Sequence, residues 1–231
     1  MTGSQKKQER NLRKSTNSYY PIYLDLKGKR CIIIGGGKVA ERKCLPLVKA
    51  GAVVTVISPQ ITKRLEYYKK RGNIKHIKRT YRRGDLKSPF LVIAATDSEE
   101  INKKVYLDTR HRNILLNVVD NPELCNFIVP SIFKRGDLKI AISTGGSSPA
   151  IAKRIRKELE AVYKPEFSRY LNFIRGIREK IKLRARNRKE KADMLNYLAS
   201  KEIFDTLRKD GLEEAKKKII SFLSNHNPIL T

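Results

Sequence analysis

Short apolar runs, separated by stretches with helical composition, organise the first two thirds of the chain. Cys31–Ile34, Val53–Ile57, Ile74–Ile77, Phe90–Thr96 and Ile114–Val119 are such runs, rich in β-branched and aliphatic side chains. Runs that are apolar throughout, with little polar alternation, suit parallel strands covered on both faces. The intervals 38–50, 59–72 and 98–112 read as helices. This βαβ alternation predicts an α/β fold: a doubly wound parallel sheet of Rossmann type. Leu138–Ser143 is a candidate sixth strand. After Pro149 the period changes to that of amphipathic helices. Phe167, Tyr170, Leu171, Ile174, Ile177 and Ile181 share one face at helical spacing. Two further amphipathic stretches, near Ala192–Arg208 and Leu212–Leu223, complete a small helical C-terminal domain over residues 164–231, joined near Lys164-Pro165.

Composition narrows the partners. Hydrophobic residues make up 40% of 231, enough for a real core, and 51 Lys+Arg against 23 Asp+Glu give a net charge of +28. Such a field attracts polyanions, and a small multi-carboxylate metabolite fits it as well as nucleic acid does. The charge is spread along the chain: residues 1–17 hold five basic residues and one acid, and residues 164–231 hold 17 basic and nine acidic. Residues 1–17 are expected to be a disordered basic leader. Cys31, Cys44 and Cys125 are too few, and wrongly spaced, for a disulfide framework or a zinc knuckle. His76 and His111 form no metal-spaced cluster, so no metal ligand is expected. The N-terminus lacks the apolar segment of a signal peptide, and no run is long enough to span a bilayer. The expectation is a soluble, cytoplasmic protein.

The most specific chemistry lies where the first run ends, in Gly35-Gly36-Gly37-Lys38-Val39-Ala40. This matches G-x-G-x-x-G/A. The first glycine makes the turn off the strand, the second lets backbone approach a pyrophosphate, and the small third residue lets the helix pack close. The helix start adds free N–H groups and a positive dipole end. An acid that would hold the ribose 2′-hydroxyl is expected after the second strand, but the residues there are Ile57-Ser58-Pro59-Gln60. Ser58 or Gln60 could bond the ribose, and Lys63 or Arg64 could tolerate a 2′-phosphate. NAD and NADP both stay open on the residues alone.

Four separated motifs carry a family resemblance. "YYPIYLDLKGKRCIIIGGGKVAERK", "AATD", "NVVDNPELCNFIVPS" and "ISTGGSSPAIAKRIR" follow one another in order. Together they resemble the siroheme-synthase family, and within it the precorrin-2 dehydrogenase/sirohydrochlorin ferrochelatase module in a stand-alone form. The resemblance covers about Tyr19 to Tyr163 and loosely the helical tail. It implies NAD-dependent oxidation of precorrin-2 to sirohydrochlorin, and in some members insertion of Fe²⁺ to give siroheme. A substrate with many carboxylates answers the positive charge. The resemblance also implies a homodimer, with residues 130–163 as the dimerisation segment after an NAD-binding domain over residues 18–129.

The resemblance places the key acid at Asp120, as the base that takes a proton as hydride leaves. A loop acid opening a turn before Asn121-Pro122 is the structural alternative. Ala95-Thr96-Asp97 resembles a second cofactor loop, although a helix N-cap at Thr96 or Asp97 explains it equally. "STGGSSP" (Ser143–Pro149) offers hydroxyls and N–H groups for a substrate carboxylate, or simply a capped Gly-rich turn. The dinucleotide site is therefore expected at Gly35, Gly37, Lys38, Val39, Ser58, Pro59, Gln60, Thr96 and Asp97. Asn117, Ser143 and Thr144 are the expected substrate contacts. The competing reading is an NAD(H)-sensing Rossmann regulator that binds DNA. It requires a recognition helix, and the apolar faces of the helical tail read as packing surfaces. A chelatase that no longer uses NAD is a third reading, opposed by the intact glycine turn.

Overall fold

The computed structural model describes residues 19–227, so the leader expected over residues 1–17 lies outside the described residues. Two compact units divide between Val129 and Pro130.

The first unit is a five-stranded parallel sheet: β1 (Arg30–Ile34), β2 (Val53–Ile57), β3 (Ile74–Ile77), β4 (Leu91–Ala94) and β5 (Leu115–Val118), in the order β3-β2-β1-β4-β5. The strands are apolar throughout because the sheet has cores on both faces. Cys31 and Ile33 of β1 join one core with Val54, Val56, Leu91 and Ile93. Ile32 and Ile34 join the other with Ile57, Val92, Ala94, Leu116 and Val118. Successive side chains of a strand point to opposite faces, so each run supplies both cores. Helices α1 (Lys38–Lys49) and α2 (Lys63–Lys70) cover the first face through Ala40, Cys44, Leu47 and Leu65. Helix α3 (Glu99–Thr109) covers the second through Val105. The chain runs outward from β1 to β3 and then returns to β4 on the other side of β1. This reversal opens a crevice at the carboxyl ends of β1 and β4.

β5 ends the sheet, and its outer edge is paired with side chains. Asn126 Oδ1 accepts from Leu116 N at 2.7 Å, and Asn126 Nδ2 donates to Ile114 O at 2.7 Å. The Asn126 backbone N–H donates to Leu116 O at 3.0 Å. The place of a sixth strand is thus filled by a return loop. Leu138–Ser143, expected as that strand, instead contributes β7 (Leu138–Ile142) to a separate antiparallel hairpin with β6 (Ser131–Arg135). A two-residue turn, Gly136-Asp137, joins them, and Gly136 takes φ +60°. Positive φ at the first turn position fits the twist of a tight hairpin.

The second unit continues with α4 (Pro149–Val162), α5 (Glu166–Arg184), α6 (Arg188–Leu198), α7 (Lys201–Lys209) and α8 (Leu212–His226). Tyr170, Ile177, Ile181, Met194, Leu198, Ile203, Ile219 and Leu223 form its own core. The single helix expected near Ala192–Arg208 is two, because Ser200 accepts from Ile203 N at 3.3 Å and starts a new helix. No described helix is long and apolar enough to cross a membrane.

Candidate functional site

The three glycines after β1 meet three different demands. Gly35 takes φ +112°, and a Cβ on it would lie 2.0 Å from Ala95 O. The turn off β1 therefore passes directly against the end of β4. A Cβ on Gly36 would lie 1.8 Å from Gln60 O and 2.4 Å from Ser58 Oγ. Gly36 was an unassigned position in the motif; its need for glycine comes from the loop after β2, far away in sequence. A Cβ on Gly37 would meet nothing within 4 Å. Gly37 is the N-cap of α1, no side chain caps it, and Gly37, Lys38 and Val39 are all exposed. The first N–H groups of a helix lack internal partners. An open backbone cradle at a helix start suits a pyrophosphate, so the residues present fit a dinucleotide.

The ribose loop is more committed than its sequence implies. Ser58 is buried, and its hydroxyl donates to Gln60 O at 2.5 Å. His76 Nε2 lies 2.9 Å from Ser58 O and fastens the loop to β3. The Ser58 hydroxyl is thus held inside the loop, while Pro59 and Gln60 are exposed beside it. Glu41 of α1 accepts from Thr62 Oγ1 at 2.6 Å and lies 3.7 Å from Arg64 Nη1.

At the end of β4, the N-cap of α3 is Ser98, which accepts from Ile101 N at 3.3 Å. The alternative reading of Thr96 or Asp97 as the helix cap is therefore not met. Thr96 Oγ1 accepts from Ser98 N at 3.1 Å, and Asp97 is exposed. Asn102 Nδ2 donates to Thr96 O at 3.0 Å, while Asn102 Oδ1 is buried without a partner. Nothing in the local sequence singled out Asn102.

Asp120 stands at the carboxyl end of β5, on the same end of the sheet. It is exposed, and it takes φ +60°, one of two described non-glycine residues with positive φ. Asp tolerates this region better than most residues, at a cost of about 1 kcal/mol. Lys43 of α1 is close enough to feel both Asp120 and Cys125. Burial and the Arg42 charge hold its amine below the usual lysine range, against the pull of those two groups. Asn117 is buried, and its amide donates to Phe127 O at 3.1 Å. It faces the return loop as a brace.

Ser143 and Thr144 belong to the second unit. Ser143 Oγ accepts from Gly145 N at 3.2 Å. Thr144 Oγ1 accepts from Ser148 N and donates to Ser148 O, both at 3.0 Å. Ser148 caps α4 by accepting from Ile151 N at 3.3 Å. Among the described residues no three His, Cys, Asp or Glu side chains gather as a metal cage. A basic cavity of about 450 Å³, lined by Lys29, Arg30 and Arg112, lies under the amino ends of the strands. Open α/β sheets bind ligands at the opposite end, so this cavity is distinct from the glycine crevice.

Residues 22–131 match a family model described as "Putative NAD(P)-binding", and residues 135–161 match one described as "Sirohaem biosynthesis protein central". A siroheme synthase of Methylobacillus flagellatus is 42% identical over 164 residues, which are 71% of this chain and 35% of that protein. A siroheme synthase of Thioalkalivibrio sulfidiphilus is 37% identical over 205 residues, 87% of this chain and 42% of that protein. The chain thus spans less than half the length of these curated relatives. A solved structure of "SirC, precorrin-2 dehydrogenase" superposes with a TM-score of 0.75 at 26% identity, over 88% of this chain and 100% of that one.

Proposed function

The chain belongs to the siroheme-synthase family, and from that premise we propose that it oxidises precorrin-2 to sirohydrochlorin with NAD⁺. The observation that carries this reading is the open cradle at Gly37, on the same end of the sheet as Asp120. Gly35, Gly37, Lys38 and Val39 would hold the pyrophosphate, Pro59 and Gln60 would border the ribose, and Thr96 and Asp97 would line the second loop. NAD⁺ held there would supply the hydride acceptor. Asp120 takes the proton released from the tetrapyrrole, so that precorrin-2 and NAD⁺ yield sirohydrochlorin, NADH and H⁺. Asn117, expected as a substrate contact, is assigned instead to bracing the return loop through Phe127 O. Ser143 and Thr144, with the N–H groups of their Gly-rich turn, are assigned to a substrate carboxylate.

The dimer and the location belong to the same proposal. Ile132, Ile151 and Val162 are each at least half exposed in the segment 130–163, and an uncovered apolar face of this kind suits a second copy. The protein is assigned to the cytoplasm.

The test is anaerobic incubation with precorrin-2, with and without NAD⁺, followed by visible absorption. Conversion only with NAD⁺ is expected. A positioned base contributes about 10²–10⁴-fold, so Asp120→Ala and Asp120→Asn should lower turnover by about that factor with NAD⁺ affinity retained. Near-normal turnover of both at saturating substrate would leave Asp120 as a turn residue. A second arm with sirohydrochlorin and Fe²⁺ or Co²⁺ decides whether metal is also a substrate.

A further inference from the structure

Cys125 has no part in the reading above. It is a free, half-buried thiol on the return loop that closes the edge of β5. Its sulfur accepts from Val118 N at 3.1 Å, and it lies 3.2 Å from Val118 O and 3.3 Å from Asn121 O. Asn117 Nδ2 approaches the same sulfur at 3.5 Å. Val118 and Asn121 bracket the two residues Val119 and Asp120. The remaining bond across this turn, Asn121 N to Val118 O, is 3.2 Å long. The thiol therefore touches both ends of the turn that carries Asp120 in its left-handed conformation.

We propose that Cys125 is a positioning residue, whose thiol pins Val118 and Asn121 and thereby fixes the direction of the Asp120 carboxylate. The proposal rests on the reading of Asp120 as the proton acceptor. A thiol has one proton and a sulfur that accepts weakly. It donates to Val118 O or to Asn121 O while accepting from Val118 N–H. Sulfur's longer bonds let one atom reach all three groups. A hydroxyl prefers partners at about 2.7–2.8 Å and would satisfy fewer of them. Burial pushes the Cys125 thiol above its usual range, against the pull of Val118 N–H and Lys43. It accordingly stays protonated, and able to donate, at neutral pH.

Cys125→Val removes the polar contacts with an apolar side chain only slightly larger than the thiol, and Cys125→Ser keeps a donor and acceptor. In Cys125→Val, turnover should fall about 10- to 10²-fold, as misplacement of a reacting group by about 1 Å does. NAD⁺ affinity, set at Gly35–Val39, should not change. Amide exchange measured by mass spectrometry should accelerate in peptides covering residues 116–124 and stay unchanged over β1. Cys125→Ser should recover part of both losses. Because Cys125 acts through Asp120, Cys125→Val should cause no further loss of turnover in the Asp120→Ala background. Turnover within two-fold of wild type together with unchanged exchange would overturn the proposal, and so would an equal additional loss in the Asp120→Ala background. An active Asp120→Ala enzyme would instead remove the reading of Asp120. An inactive Asp120→Ala beside a fully active Cys125→Val would remove this inference alone.

Discussion

Three adjacent glycines show what one residue contributes at this site. Gly35 and Gly36 are glycine because protein atoms stand where a Cβ would go; Gly37 is glycine with open space in front of it. The substitutions should therefore separate. Gly37→Val should abolish NAD⁺ binding in calorimetry and leave the protein folded, with a melting temperature lowered only by the poorer helix cap. Gly36→Ala should lower the melting temperature by several degrees, since forcing a methyl into packed backbone costs about 1–3 kcal/mol. Unchanged NAD⁺ affinity in Gly37→Val would remove the dinucleotide assignment. The tight turn at Gly35 and the open helix start at Gly37 were legible because the motif has a local physical meaning. Gly36 was not, because its neighbours Ser58 and Gln60 come from the loop after β2; Asn102 and Cys125 were not, because their partners Thr96, Val118 and Asn121 are nearby in sequence but are brought to them only by the way each loop turns. Ser58 was legible as polar, but its commitment to Gln60 O depends on how the loop closes.

Among the elements, the five parallel strands were readable because burial on both faces demands unbroken apolar runs. β6 escaped notice: Ile132 and Phe133 are its only strongly apolar residues, and Lys134 and Arg135 follow them. The tight turn at Gly136-Asp137 was the available signal. The break between α6 and α7 was hidden because apolar spacing continues through Ser200, and only the cap ends the first helix. Helix α4 gives a prediction at this scale. Ile151, Ile155 and Val162 lie along it at helical spacing, at 55%, 38% and 50% exposure. Sedimentation should find the wild type as a dimer and Ile151→Asp/Ile155→Asp as a folded monomer. A monomeric wild type at micromolar concentration would refute the proposed dimer.

For the whole molecule, the net charge of +28 was plain in the composition, but its purpose was not. A chain this basic will bind DNA weakly through phosphate contacts, with affinity falling steeply as salt rises. Binding measured by fluorescence anisotropy should be indifferent to base sequence and largely lost at about 150 mM salt. A tight, sequence-selective footprint under those conditions would revive the regulator reading. The order of the chain also bears on how the molecule is made. An open strand edge is a template for pairing with other chains, and β5 is closed by Cys125 and Asn126, which follow its last residue, Val118, by only 7 and 8 residues. At a synthesis rate of about 5–20 residues per second, the closing residues leave the ribosome within about two seconds of the strand. The nascent sheet then exposes this edge only briefly, and needs no later strand to protect it from its neighbours on the same messenger.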